Sequence, residues 1–422
     1  MNKYWGMLAI SYSFLCQAEE IIQVQQSDEV IGAKGTMANS SGKKNFIIPY
    51  PYYSQTTSAT AGVVLASQGI FQPQITAFAN FIYSSNDSKI AYFQIEDVQI
   101  YQRLFVEAKV LAGHWGSVNY YPDRSNDSSE NDYIDISADD QWYRLNFDYL
   151  LPIGNGKKHI VDRYKIDGAL LVPSSASGGE SWNPLVSGRT YLQLRPFYRK
   201  EDLNGIGQFA TSGVGVGFNI DNRDWPINPT RGYTLQAELK HDWGNLSDSV
   251  EWTSVEASFA KYVNLGASDF FQQQVLAFDV WTLNIPTWNE TTIIDGQTVF
   301  KRPPPFSGLS LGGWDRFRGY TANRFEDKAA IDYQVEYRMI PQWNPFPHIP
   351  LIKRLKIPFW QWAVFAELGR VAPEWQIDTL HSHMRWNAGV GMRAFVNGML
   401  VRMDLAASKE GGQVQMIVDQ PF

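Results

Sequence analysis

Residues whose types and spacing could do chemistry are few in this 422-residue chain. His381 and His383 stand at i and i+2, a spacing that could offer two nitrogens to a metal if a third ligand arrived. No third ligand lies near in sequence, so they read as a loop pair. No spacing of Ser, His and acid marks a hydrolase triad. Gly213, Gly215 and Gly217 alternate within a strand, and no helix follows, so they suit close packing rather than phosphate binding. The most distinctive segment is Leu311-Gly-Gly-Trp-Asp-Arg-Phe-Arg-Gly-Tyr320. Arg318 stands there among Gly312, Gly313 and Gly319, which let a backbone turn tightly. A guanidinium fork grips a carboxylate from a fixed direction, which is the chemistry of positioning rather than of bond making. The sequence thus offers no catalytic residue, no metal site and no cofactor.

The elements that must hold these residues alternate with period two. Across 329–341, Ile331, Tyr333, Val335, Tyr337 and Met339 alternate with Asp332, Gln334, Glu336 and Arg338. Successive side chains of a strand face opposite sides, so this strand separates an apolar surface from a charged one. Elsewhere Leu235, Ala237 and Leu239 oppose Gln236, Glu238 and Lys240, and Trp362, Val364 and Leu368 oppose Gln361, Phe365 and Glu367. Trp386, Val390 and Met392 oppose Arg385, Asn387 and Arg393, and Met403 and Leu405 oppose Arg402 and Asp404. A soluble core does not accept charge from so many strands, because buried unpaired charge is costly. A membrane barrel turns the apolar face to lipid and the charged face to a wet lumen. The chain is 44% hydrophobic with a mean hydropathy of -0.28, too polar for a helical membrane protein. No apolar run reaches the roughly 20 residues of a spanning helix. The 15 Trp and 21 Tyr suit aromatic girdles at two interfaces. The formal charge of -7 gives no basic face, which argues against nucleic acid as a partner.

Lys3 and the apolar stretch Tyr4 to Cys16 have signal-peptide length, and Cys16-Gln17-Ala18 has a small-x-small cleavage pattern. The expectation is a cleaved signal at 1–18, a mature start at Glu19, and a chain without cysteine. A competing reading makes Cys16 a lipidated residue, but Leu15 precedes it where a small residue is usual. Residues 19–55 read as a polar periplasmic arm and 56–422 as the barrel. Sixteen strands are expected near 56–68, 74–85, 89–101, 104–116, 141–153, 159–171, 188–200, 208–222, 232–243, 249–265, 269–285, 329–341, 359–371, 384–396, 399–408 and 411–422. With both termini periplasmic, the loop from Pro286 to Lys328, stiffened by Pro303, Pro304 and Pro305, faces outside. The same parity puts the acidic stretch Asp123 to Asp140 on the periplasmic side, against the tendency of long loops to face outward.

Four segments together resemble a known family. They are Leu311 to Tyr320, Phe365-Ala-Glu-Leu-Gly369, Asp221-Asn-Arg-Asp224 with Pro229 and Gly232, and Gly391-Met-Arg393 through Met403-Asp-Leu405 to Phe422. In order, they resemble the barrel of the BamA/TamA superfamily of outer-membrane assembly proteins, the bacterial surface antigens, over about 208–422 and more loosely over 47–116. Glu367 stands where the family usually has Asp. The resemblance implies an all-β, transmembrane antiparallel barrel of about 16 strands with a long outer loop folded into the lumen. It implies a loop lock at Gly312, Gly313, Arg318, Gly319 and Tyr320, with lumen partners Phe365, Glu367 and Gly369. Arg318 is then expected to grip Glu367 bidentately, a pair worth only about 1 kcal/mol in a wet lumen. Asp221, Arg223, Asp224, Pro229 and Gly232 form the turn motif, and Phe422, on the lipid face, the C-terminal assembly signal.

The family's inserting members carry periplasmic POTRA domains. Residues 19–55 are too few for one, so a short member without them is expected. The implied location is the outer membrane of a Gram-negative bacterium, and the implied role is outer-membrane protein or lipid assembly or transport without enzymatic chemistry. The alternative is a passive pore or surface scaffold with the fold but no insertase activity. The implied partners are outer-membrane lipid and, during biogenesis, the barrel assembly machinery; any protein or lipid substrate is left open.

Overall fold

Alternation turns most of the chain into strands that face two environments at once. The computed structural model describes residues 28–32, 38–39, 44–54, 57–350, 353, 357–396, 399–418 and 420–422. Sixteen strands form one antiparallel sheet in chain order. They are β1 (Lys44–Ser54), β2 (Ser58–Gln68), β3 (Thr76–Ser84), β4 (Lys89–Tyr101), β5 (Leu104–Tyr120), β6 (Ile134–Leu150), β7 (Arg189–Leu203) and β8 (Gly207–Asp221). The second half is β9 (Gly232–Trp243), β10 (Glu251–Gly266), β11 (Phe271–Asn284), β12 (Ala329–Pro341), β13 (Trp360–Ala372), β14 (Arg385–Val396), β15 (Met399–Ser408) and β16 (Gly411–Val418). β1 and β16 are the two ends of this order, and among the described residues no ladder joins them. Contacts between connections roll the sheet into a barrel. After β5, Asn126 donates to the His383 carbonyl before β14 (3.1 Å), and Arg385 on β14 donates to the Asn126 carbonyl (2.6 Å).

The wall sorts side chains as the alternation requires. Leu239, Val364, Leu368, Trp386, Val390, Met403 and Leu405 are exposed on the outside. Their sequence neighbours Glu238, Glu367, Asn387, Arg402 and Asp404 are buried inside. The lumen of this half is therefore filled with packed side chains. An apolar cluster of Trp252, Trp281, Leu283, Leu311, Phe317, Tyr320 and Phe325 fills the interior toward one end. Trp225, Ile227, Ile340, Phe359, Phe395 and Leu400 fill it toward the other, the near end, where β16 finishes.

Two of the expected elements are corrected. The barrel begins at Lys44, not at 56, because β1 lies within the stretch read as an arm. Pro49 and Pro51 disguise it: proline lacks a ladder donor and is confined to edge strands, and β1 is one. The stretch 159–171 is not a barrel strand. Asp162–Asp167 and Leu170–Leu171 instead join Asp28–Gly32 and Ala38–Asn39 in a separate four-stranded sheet, with Val30 opposite Tyr164. Tyr164 and Ile166 pack into the near-end cluster. The expected signal at 1–18 lies outside the described residues.

The two errors offset each other in number but change the parity between them. With β1 restored, the connection 121–133 shares the far end with the long connection 285–328. Direct contact supports this, since Glu326 donates its backbone N–H to the Arg124 carbonyl (2.7 Å) and pairs its carboxylate with the Arg124 guanidinium. The acidic stretch and the long loop are thus on the same side, opposite to the expectation. Burial pushes the Glu326 carboxyl up to about 7, against the opposing pull of Arg124 and Arg302.

Candidate functional site

The far-end connection 285–328 first extends as a hairpin, Thr291–Ile294 against Gln297–Phe300, and then folds inward. Two glycines permit the fold for different reasons. Gly312 has φ +105°, and a Cβ there would strike the Thr321 carbonyl. Gly319 needs space instead, since its Cβ would lie 2.5 Å from Asn387 Cβ. Phe317 adopts φ +59°, sparsely populated for an aromatic residue, and strain of this kind persists only where its surroundings hold it. Here the Phe317 ring stacks on Tyr320 at 4.6 Å and meets Phe325 edge-on at 6.2 Å.

These contacts aim Arg318, which is fully buried, at the inner faces of β12, β13 and β15. Its Nε donates to Glu367 Oε1 (2.5 Å) and its backbone N–H to Glu367 Oε2 (2.6 Å). Nη1 donates to Glu336 Oε1 (2.7 Å) and to Asp404 Oδ2 (3.0 Å). The guanidinium carbon lies 3.6 Å from the centroid of the Phe365 ring, within cation–π range. The expected fork onto Glu367 alone is therefore corrected: one arginine is shared by three carboxylates on three strands.

The charges around it interlock. Glu336 also accepts from Arg338 Nε (2.7 Å) and from Arg393 Nη2 (2.8 and 2.9 Å). Asp404 accepts from Arg402 Nη1 (3.0 Å), and Arg402 Nη2 reaches the Trp314 carbonyl (2.7 Å) and Asp315 (3.1 Å) in the loop. Asn387 donates to Glu367 Oε2 (2.8 Å). On β16, Gln415 donates to the Gly313 and Arg318 carbonyls (both 3.0 Å), and the Tyr320 hydroxyl donates to the Trp386 carbonyl on β14 (3.1 Å). The loop tip is thus bonded to each of β12 to β16.

The geometry gives each residue of the Phe365-x-Glu367-x-Gly369 motif a distinct task. Phe365 lies under the guanidinium, Glu367 receives it, and Gly369 leaves room for Phe317, whose ring would be 3.0 Å from an added Cβ. The model of the Omp85 superfamily domain matches residues 124–415, more than half of the chain.

The chain belongs to the Omp85 superfamily.

Among solved structures, CdiB from Escherichia coli is similar to this chain at 12% identity and a TM-score of 0.52, covering 94% of this chain and 62% of that one. CdiB from Acinetobacter baumannii is 10% identical, with a TM-score of 0.48 over 93% of this chain and 65% of that one. BamA from Haemophilus ducreyi, crystallised without POTRA domains 1–3, is 11% identical, with a TM-score of 0.48 over 91% and 71%. This chain thus spans less than two thirds of either CdiB chain. No curated protein matches it.

Two further features of this Omp85 barrel stand outside the expectations, one a long-range pairing and one a motif spelled in the sequence itself. Arg324, fully buried, donates to Glu410 between β15 and β16 (2.8 and 3.1 Å) and to Ser128 Oγ (2.8 Å) and its carbonyl (2.9 Å). No sequence signal marks a pairing across 86 and 196 positions. Gly308-Leu309-Ser310-Leu311-Gly312 spells the Gly-x-Ser-x-Gly of a nucleophile elbow, which needs a strand-to-helix turn. No helix follows here, and the Ser310 hydroxyl donates to Asn323 Oδ1 (2.8 Å).

The turn motif lies at the near end, apart from the lock. Arg223 forks onto Asp221 (2.9 and 2.7 Å), and Asp224 accepts the backbone N–H groups of Trp225 (3.0 Å), Thr230 (2.9 Å) and Arg231 (3.3 Å). Gly232, at φ +97°, passes against the Asn222 carbonyl, and Pro229 is buried in the same turn. The turn carries Trp225 into the interior. His381 Nε2 meets the Tyr333 hydroxyl at 2.8 Å, and His383 offers its carbonyl to Asn126.

Phe422 is corrected in its facing. It turns inward, with its ring 6.4 Å from Tyr262 and 4.9 Å from the Arg338 guanidinium, whose Nη2 donates to the Phe422 carbonyl (3.4 Å). Phe422→Ala is expected to cost about 1–2 kcal/mol, less than a fully buried phenylalanine. The purified barrel should melt at lower temperature. Lower membrane levels with an unchanged melting temperature would instead support the targeting role.

Gly312→Ala should free the tip, since the new Cβ meets both a forbidden φ and a carbonyl. Trypsin cleavage after Arg316, Arg318 or Arg324 in the folded barrel is the readout, and wild-type resistance would contradict it.

Proposed function

We propose that this Omp85 outer-membrane barrel serves protein or lipid assembly or translocation, resting in a closed state held by the loop lock. The observation that carries the reading is the convergence of one loop arginine on carboxylates of β12, β13 and β15, with further bonds to β14 and β16. These strands run up to β16, whose outer edge takes no ladder among the described residues, so withdrawal of the loop would loosen the flank of the sheet that ends there. The near end is assigned to the periplasm, which places 121–133 and 285–328 outside, as long connections of such barrels commonly are. Export through a cleaved signal and insertion by the barrel assembly machinery belong to the same reading. The lock's chemistry is ion pairing, and no catalytic step is assigned to it.

A passive pore is the second reading, and the apolar clusters inside both ends weigh against it. Depletion separates the two. The assembly reading expects altered levels of other outer-membrane proteins or lipids. Unchanged levels of both would refute it.

A further inference from the structure

The segment 181–188, which leads into β7 at the near end, displays apolar side chains on a fixed backbone. Trp182, Leu185 and Val186 are 62%, 65% and 59% exposed. Yet the backbone between them is held at many points. Asn222 donates to the Ser181 carbonyl (2.5 Å), the Ser187 hydroxyl donates to Asn222 Oδ1 (2.8 Å), and the Tyr233 hydroxyl donates to the Trp182 carbonyl (2.8 Å). Gly154 donates its N–H to the Leu185 carbonyl (3.1 Å), and Asn155 to the Gly188 carbonyl (2.8 Å). Such bonding positions the three side chains outward instead of folding them under.

Their neighbours define what lies outside. The Trp182 indole stacks on Tyr233 at 5.0 Å and 15°, and on Phe259 at 6.4 Å and 15°. In the β9–β10 ladder, Tyr233 stands opposite Lys261, Leu235 opposite Phe259 and Leu239 opposite Val255. Phe259 and Lys261 therefore share the outer face with Val255 and Val263, both exposed. The indole continues the lipid-facing wall at the level where the strands end. Lys261 Nζ sits 4.1 Å from the centroid of the Trp182 ring, and among the described residues no carboxylate pairs with it. Arg231 is exposed beside Gly179, and Lys157 and Lys158 are exposed on the turn that binds the Leu185 and Gly188 carbonyls.

Apolar side chains continuous with a lipid-facing wall, capped by cations at its rim, match the zone where acyl chains meet phosphates. Aromatic rings favour that zone, lysine and arginine stems reach out of it, and cations there attract anionic headgroups. We infer that 181–188, with Lys261 and Arg231, forms a binding site for the phosphodiester headgroup of a bilayer phospholipid. Trp182, Leu185 and Val186 insert among the first acyl carbons, and the two cations hold the phosphate. This rests on the membrane placement of the barrel and not on the lock.

The test uses the barrel refolded into nanodiscs of phosphatidylglycerol, with acyl chains either plain or brominated near the headgroup. Heat-modifiable mobility confirms folding of every sample, so failure of the barrel reading itself would be visible first. The fluorescence of wild type minus that of Trp182→Phe isolates Trp182. Loss of most of this difference signal in the brominated discs is expected, and a water-like signal indifferent to bromine would overturn the site. Lys261→Ala combined with Leu185→Ser should retain fewer phosphatidylglycerol molecules through detergent exchange, counted by native mass spectrometry. Retention equal to wild type would overturn it too. Inorganic phosphate should not displace the retained lipid, and displacement by phosphate alone would mean a free-anion site instead.

Discussion

Arg318→Ala is expected to release the loop from the barrel interior while the wall still assembles. The substitution leaves Glu367 and Asp404 without their loop cation and takes from Glu336 one of three guanidiniums. Removing one partner of a buried ion pair costs about 3–5 kcal/mol, because the remaining charge stays desolvated. The cost falls on docking of the loop, whose alternative is solvent, more than on the strand ladders. Trypsin should then cut after Arg316 or Arg324 in barrels that still migrate as folded. Arg318→Lys should resemble alanine more than wild type. One ammonium cannot span three carboxylates while lying flat on Phe365 at 3.6 Å. Protease resistance equal to wild type in either variant would show that the loop is held by its aromatic cluster alone.

Glu336→Ala should be the more damaging substitution. Arg318, Arg338 and Arg393 all donate to this one carboxylate, and all are fully buried. Without it, three guanidiniums face one another across the interior with their common counter-ion gone. The same figure of about 3–5 kcal/mol per broken buried pair applies to the wall itself here, since Arg338 and Arg393 sit on β12 and β14. A sharp drop in the heat-modifiable fraction is expected after refolding. Glu336→Gln, which keeps an acceptor oxygen but not the charge, should fall between alanine and wild type. A folded fraction and melting temperature equal to wild type in Glu336→Ala would mean that water compensates these arginines and that the lumen is wet after all.

Much of this was legible in the sequence, for reasons that also mark its limits. On β12 to β15 strict alternation of charge with apolar residues sorts Glu336, Glu367, Arg393 and Asp404 to one face, and the structure places them there. The alternation cannot say which of them meet, because that depends on how far neighbouring strands are staggered around the wall. The motif marks Glu367 as a partner, whereas Glu336 lies in no motif and Asp404 lies in the closing-strand segment with nothing there to mark it as a partner; only the fold brings both to Arg318. Period two also fails to assign a strand to a sheet: 162–167 alternates as a barrel strand does but belongs to the near-end sheet. Pro49 and Pro51 hid β1 because proline is read as a strand breaker, a rule that an edge position relaxes. Phe422 continues the apolar parity of Val414 and Met416 only if the strand continues. The described strand ends at Val418, and Phe422 turns inward.

The central claim is that the loop lock holds the barrel closed, and ion conductance across a planar bilayer tests it most directly. Wild type and Arg318→Ala, each purified as the heat-modifiable species, should be compared at equal insertion and equal salt. The account predicts small or rare openings in wild type and larger, longer ones in Arg318→Ala, with Arg318→Lys close to the latter. Wide steady conductance already in wild type, or identical traces from wild type and Arg318→Ala, would contradict it.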